Sequence, residues 1–331
     1  MFLFVACILF LYVVGFSSVE TVGISKDKSA ALKSIMAILI VLHHLSLQGI
    51  PFLWMFHSWG APIVSIFLFL SGYGLMKSLC LKGKMYLSDF FRHRLFKSII
   101  IPFLVAWTIY RILNMVNAPC FSLELKELIF NGITVLPHSW FIFAILCFYI
   151  FFYVSYRFLP NRLCFVALMA LFILFEVWCQ YRHYDRCWYI SAFSFPTGLF
   201  FGKYESYIIE YFKSNMIYAI MIPVNLIIIA LCVYMKMEPA YLFVYILIPM
   251  IFAVLLLRVK IEKFLTFRAI RFLSTVSFEI YLSQGISMCI LRGPFFYLKS
   301  DYIYVILTLF LTIMIAVFIK FTRRVLIGFC S

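Results

Sequence analysis

The sequence predicts an all-α polytopic membrane protein, and three observations predict it. Of its 331 residues, 66% are hydrophobic and only 12% charged, against about 45–50% apolar and about 25% charged in soluble domains. The apolar residues fall in runs near the roughly 20 residues that a bilayer crossing needs. The basic residues, 28 Lys and Arg against 13 Asp and Glu for a net +15, crowd into alternate connections between those runs. A water-soluble enzyme and a disordered chain are both excluded. In a soluble protein such an excess would suggest nucleic acid. Here it reads as basic loops held at an anionic cytoplasmic leaflet, so membrane lipids are the expected partners and no nucleic acid is.

Apolar runs bounded by charge or turn residues give eleven candidate helices: 1–18, 31–49, 58–78, 96–116, 139–156, 161–179, 188–202, 214–235, 240–257, 270–290 and 302–321. The first run has no basic residue ahead of it, unlike a signal peptide. It is read as an extra membrane helix, with a cleaved signal as the alternative, which together with a basic linker makes up residues 1–29. Residues 30–331 form one membrane domain, since no connection is long enough for another. The run 188–202 is short and holds Pro196 and Gly198, so a broken helix is expected there. The ten Cys are scattered with no C-x-x-C pair. They read as buried apolar residues, with a Cys179–Cys187 bridge left open.

Orientation follows from the basic residues. With the segment before helix 31–49 inside, only Arg111, Lys126, Arg182, Arg186, Lys236, Arg292 and Lys299 fall outside, which leaves 21 of the 28 inside. That three-to-one bias over short loops is the positive-inside pattern, and it supports the span count as well.

Against this apolar background a few polar residues stand out, because polar groups inside a span cost free energy. Lys33 and His44 lie eleven residues apart in one apolar run. At about 100° and 1.5 Å per residue they share a helix face roughly 16 Å apart along the axis. Histidine is the side chain best suited to exchange protons near neutral pH. His43 projects about 100° away from His44. Ser71 and Gly72, in Gly60-Ala-Pro-Ile-Val-Ser-Ile-Phe-Leu-Phe-Leu-Ser-Gly, allow close helix approach or line a site. Arg92, Arg94 and Lys97, ending at Pro102, are either positive-inside anchors or an aromatic-edged site for cofactor phosphates. Trp140 opens a helix near the outer face. Glu279 and Tyr281 sit inside the tenth span, where a carboxylate needs a partner.

These residues, in this order and spacing, resemble the acyltransferase type-3 family of integral-membrane O-acyltransferases. The resemblance covers about residues 30–322. Lys33 and His44 match the family's basic residue, ten-residue gap and His, where the family more often has Arg. Gly60 through Gly72 is similar to its G-x-x-V-x-x-F-F-x-x-S-G segment with slightly different spacing. Phe91, Arg92, Arg94 and Pro102 match its F-x-x-R-R run before a proline. Trp140-Phe141 and Ser277-Phe278-Glu279-Ile280-Tyr281-Leu282 look like further landmarks, although Gln284 stands where many relatives place His.

The resemblance implies a ten-helix acyltransferase core, with helix 1–18 as an addition, in a bacterial cytoplasmic membrane. It implies O-acetyl transfer from acetyl-CoA to a hydroxyl of a cell-surface or exported polysaccharide, with no metal. Candidate catalytic residues are His44, Lys33 and His43. Arg92, Arg94 and Lys97 are the donor contacts, and Ser71, Gly72, Trp140, Glu279 and Tyr281 are substrate or structural residues. Acceptor specificity is expected in outer loops such as 117–138. A polysaccharide or lipid-linked sugar exporter is the rival reading. It would require interrupted helices at matching places in both halves, and the sequence shows one, 188–202.

Overall fold

The computed structural model describes residues 2–16, 23–115, 131–132, 136–235, 238–259, 267–293 and 296–329. Most of the 117–138 loop, with Lys126, lies outside the described residues, as do Lys236 and residues 17–22 of the linker. Twelve helices are used below: α1 Phe2–Phe16, α2 Lys26–Leu47, α3 Gly60–Lys82, α4 Ile101–Met115, α5 Trp140–Phe158, α6 Cys164–Tyr181, α7 Ser194–Tyr211, α8 Asn215–Met235, α9 Glu238–Arg258, α10 Arg268–Ser274, α11 Ser277–Leu291 and α12 Asp301–Phe329. No strand occurs among the described residues. This is the all-α polytopic bundle that the composition predicts, because lipid leaves a spanning backbone no outside hydrogen-bond partner.

Eight of these segments are long and apolar enough to cross a membrane: α2, α3, Phe91–Leu113, α5, α6, α8, Ala240–Arg258 and Asp301–Gly328. The other three expected runs are helical but differ from the expectation. The first gives a 15-residue helix. The run 270–290 divides at residues 275–276 into α10 and α11. The run 188–202 becomes α7, which starts six residues later and continues past Lys203 and Glu205. Its break is not at Pro196, which sits in the first turn where a missing N–H costs nothing. The kink lies at Tyr204, whose φ and ψ of −109° and 18° leave the helical region.

The chain divides into two compact units, Met1–Gly83 with Tyr189–Ser274 and Lys84–Trp188 with Thr275–Ser331. In the first unit α2 begins at Ser25, whose side chain accepts the Lys28 N–H at 3.1 Å. That cap carries the helix five residues further back than the apolar run alone suggests. α3 and α7 cross in close contact. A Cβ on Gly72 would lie 2.2 Å from the Phe195 carbonyl oxygen, and one on Gly198 would lie 2.0 Å from that of Phe69. Gly198 and Gly202 form a G-x-x-x-G pair, the small-residue seam by which membrane helices gain van der Waals contact. α1 rests against α8, with the Tyr12 and Tyr218 rings stacked at 5.2 Å.

In the second unit α11 packs on α12, and α5 on α6 through Phe148 and Phe172, both fully buried. Arg292 lies 4.0 Å over the Tyr304 ring and pairs with Asp301, fixing the turn between α11 and α12. Glu279, buried in α11, pairs with Arg323 of α12 at 2.9 Å.

Candidate active site

In the first unit the sequence pair falls on one unbroken helix. α2 runs from Lys26 to Leu47, so Lys33 and His44 keep the register that places them on one face. Lys33 is half-buried, while His44 is 8% exposed near the helix's C-terminal end. The His43 and His44 rings lie 5.2 Å apart with planes tilted 46°.

The surroundings of His43 separate the roles of the two histidines. His43 Nδ1 is 3.1 Å from the Phe56 carbonyl oxygen. A carbonyl only accepts, so Nδ1 carries the proton and Nε2 is the basic nitrogen. Nε2 in turn faces Gly60, where an added Cβ would lie only 2.4 Å away. His43 is therefore fixed by the turn Pro51–Phe56 on one side and by the first residue of α3 on the other. Gly60 had been read only as the start of a motif, and the structure shows why that position is a glycine. Gly72 serves the α3–α7 crossing, and Ser71 beside it is half-buried.

A second polar cluster in this unit was missed at the sequence level. Glu205 is 6% exposed at the kink of α7. It accepts from Tyr73 Oη at 2.6 Å, from Lys77 Nζ at 2.7 Å and from the Ile24 N–H at 3.1 Å. Lys28 is also buried, and its Nζ donates to the Leu256 carbonyl at 2.9 Å, at the C-terminal end of α9. The expected helix ended at residue 202, which put Glu205 in a loop. The Gly198-x-x-x-Gly202 spacing was the signal that could have extended it.

In the second unit the three basic candidates part company. Residues Phe91–Ile100 form a π-helix, in which the Ile101 N–H donates to the Phe96 carbonyl, five residues back. Pro102 follows, with no N–H to give and a ring that presses on the preceding turn. On an α-helix, residues five apart point about 140° away from each other. With i→i+5 bonding they stack on one face. Arg92 and Lys97 accordingly open together onto a groove of about 920 Å³ between the 91–112 segment and α12. Arg94 turns elsewhere, its Nε donating to Tyr86 Oη at 2.9 Å.

Trp140 and Tyr281 also belong to this unit. The Trp140 ring lies 6.2 Å from that of Trp188, and Phe141 lies 5.3 Å from Tyr281. The buried Tyr281 hydroxyl donates to the carbonyl of His138, whose φ is +63°. The two landmarks read from sequence thus meet in one aromatic cluster. In the nearby turn Arg186–Trp188, burial and then the Asp185 carboxylate push the Cys187 thiol up to about 12. Cys179 and Cys187 are both free thiols. Among the described residues no group of three or more His, Cys, Asp or Glu gathers as metal ligands would.

No curated protein and no solved structure matches the chain. A family profile described as an acyltransferase domain matches residues 30–321, nearly its whole length. That span holds the Lys33–His44 helix, the glycine-seamed α3, the basic π-helix and the Glu279–Tyr281 segment in the order the sequence reading expected. The chain belongs to the type-3 acyltransferase family, and it is a multi-pass membrane acyltransferase.

Proposed function

We propose that this acyltransferase moves an acetyl group from cytoplasmic acetyl-CoA to a hydroxyl of a cell-surface or exported polysaccharide, in a bacterial cytoplasmic membrane. The observation that carries the reading is His44, a buried histidine on a membrane helix that also holds Lys33 one face-register away. His44 acts as general base. It takes the proton of the acceptor hydroxyl as the oxygen attacks the thioester carbonyl. The carbon–sulfur bond then breaks, and the CoA sulfur leaves with the proton that His44 returns. A positioned base of this kind contributes about 10²–10⁴-fold to rate. His43 is a positioning residue, since both edges of its ring are already occupied by Phe56 and Gly60. Lys33 supplies fixed positive charge on the His44 face.

Of the three basic candidates Arg94 is the donor's phosphate contact, since Arg92 and Lys97 open onto the groove beside α12 instead. Tyr86 holds the Arg94 Nε, which leaves the outer guanidinium nitrogens to fork onto a phosphate. Trp140, Glu279 and Tyr281 shape the second unit through the contacts described above, and an acceptor glycan is the remaining partner.

Heat denaturation of the purified chain with and without acetyl-CoA tests the donor. A ligand at about 100 times its Kd adds about 2.7 kcal/mol of stability, so a clear upward shift is expected. No shift at saturating acetyl-CoA contradicts the proposal and favours export of a glycan.

A further inference from the structure

The groove beside α12 has a division of character that the transfer reaction does not use. Its long walls come from Ile101, Leu104, Val105, Ile109 and Ile112 on one side and Phe318 and Leu326 on the other. The two hydroxyls in the wall have no proton to spare for an anionic ligand. Thr108 donates back to the Leu104 carbonyl at 2.9 Å and Thr322 to the Phe318 carbonyl at 3.0 Å. All of the groove's charge lies at one end, in Arg92 and Lys97. No carboxylate lines it, and neither cation has an ion pair among the described residues. Leu104, Ile112 and Phe318 are 46%, 59% and 56% exposed, so the groove opens sideways on the apolar surface.

Its dimensions match one leaflet. From Ile101 to Ile112 is eleven residues, about 16 Å at 1.5 Å each, and half of a hydrocarbon core of about 30 Å is about 15 Å. The cations stand at the entry to this span, on the side that the positive-inside bias assigns to the cytoplasm.

We infer that this groove is a seat for an anionic phospholipid of the cytoplasmic leaflet, its phosphate between Arg92 and Lys97 and an acyl chain along α4 and α12. The π-helix is what makes the seat, because only i→i+5 stacking sets these two cations side by side. A zwitterionic lipid of the same chain length would bring its own cation to the same place and bind less well. The seat stands apart from the donor contact at Arg94, so each can fail without the other.

Native mass spectrometry of the full chain, purified in a non-ionic detergent, tests this with dioleoyl phosphatidylglycerol and dioleoyl phosphatidylcholine as paired probes. One phosphatidylglycerol is expected to bind about tenfold tighter, equivalent to about 1.4 kcal/mol. Arg92→Gln with Lys97→Gln should bring the two lipids level, whereas Lys84→Gln with Arg157→Gln, residues of the same unit that do not line the groove, should preserve the preference. Leu104→Trp fills the groove without changing charge and should weaken both lipids. Each of four results would overturn the inference: equal binding of the two lipids by the native chain, a preference that survives loss of Arg92 and Lys97, displacement of phosphatidylglycerol by inorganic phosphate or by acetyl-CoA, and a dimer that leaves Leu104→Trp without effect.

Discussion

Gly60→Ala is a one-methyl change with a calculable result. The new Cβ would lie 2.4 Å from His43 Nε2, 2.8 Å from Cδ2 and 3.0 Å from Cε1. Ordinary contact needs about 3.5 Å, so the ring must retreat by about 1 Å. His43 Nδ1 already lies 3.1 Å from the Phe56 carbonyl on its other side, so the ring can retreat only by turning out of that hydrogen bond, whose range is about 2.7–3.2 Å. The lost bond is worth about 1 kcal/mol and the overpacking about 1–3 kcal/mol, giving a cost of roughly 2–4 kcal/mol. With His43→Ala in the background there is no ring to displace, and the same methyl should be nearly neutral. The assay is a double-mutant cycle on unfolding free energies in detergent, with a coupling of about 2 kcal/mol or more expected. If Gly60→Ala is equally costly with and without His43, the account of how this histidine is held is wrong.

Three further outcomes follow from the same structure. Gly198→Ala puts a methyl 2.0 Å from the Phe69 carbonyl oxygen, and backbone cannot swing aside, so its cost should reach the top of the usual range of about 1–3 kcal/mol; Gly74→Ala, which meets nothing within 4 Å, should stay within about 0.5 kcal/mol. Glu205→Ala strips a buried carboxylate from Tyr73, Lys77 and the Ile24 N–H; Lys77 is 40% exposed and can turn to water, so the cost is that of the orphaned buried donors, about 1–3 kcal/mol, with Glu205→Gln milder, as a proteolysis or melting series would show. Cys187, with its thiol pushed up to about 12, is almost wholly protonated at pH 8. Its alkylation should therefore be slow, rising about tenfold per pH unit, and Asp185→Asn should speed it because the thiolate is the reactive form.

How much of this was legible in the sequence depends on what each feature rests upon. Eight of the eleven expected spans were legible because apolar length answers directly to bilayer thickness. The Lys33–His44 register was legible because an unbroken α-helix has a fixed rotation per residue. Where the helix was not α, the same arithmetic failed. Arg92 and Lys97 are 140° apart on an α-helix, and only the π segment ahead of Pro102 brings them together. Glu205 was illegible for another reason. Its three partners come from residues 24, 73 and 77, and nothing local in the sequence announces so distant a cluster. Gly60 shows the same limit, since its meaning lies in a ring seventeen residues upstream.

The central claim is that His44 is the base for acyl transfer. Membranes carrying the native chain or His44→Ala, matched for inserted protein, can be given acetyl-CoA labelled in its acetyl group, and the surface glycan assayed for label and for O-acetyl content. His43→Ala serves as a comparison in which positioning is lost but the base remains. Acetylation lost in His44→Ala and only reduced in His43→Ala is the predicted result. Acetylation that persists in His44→Ala would contradict the account.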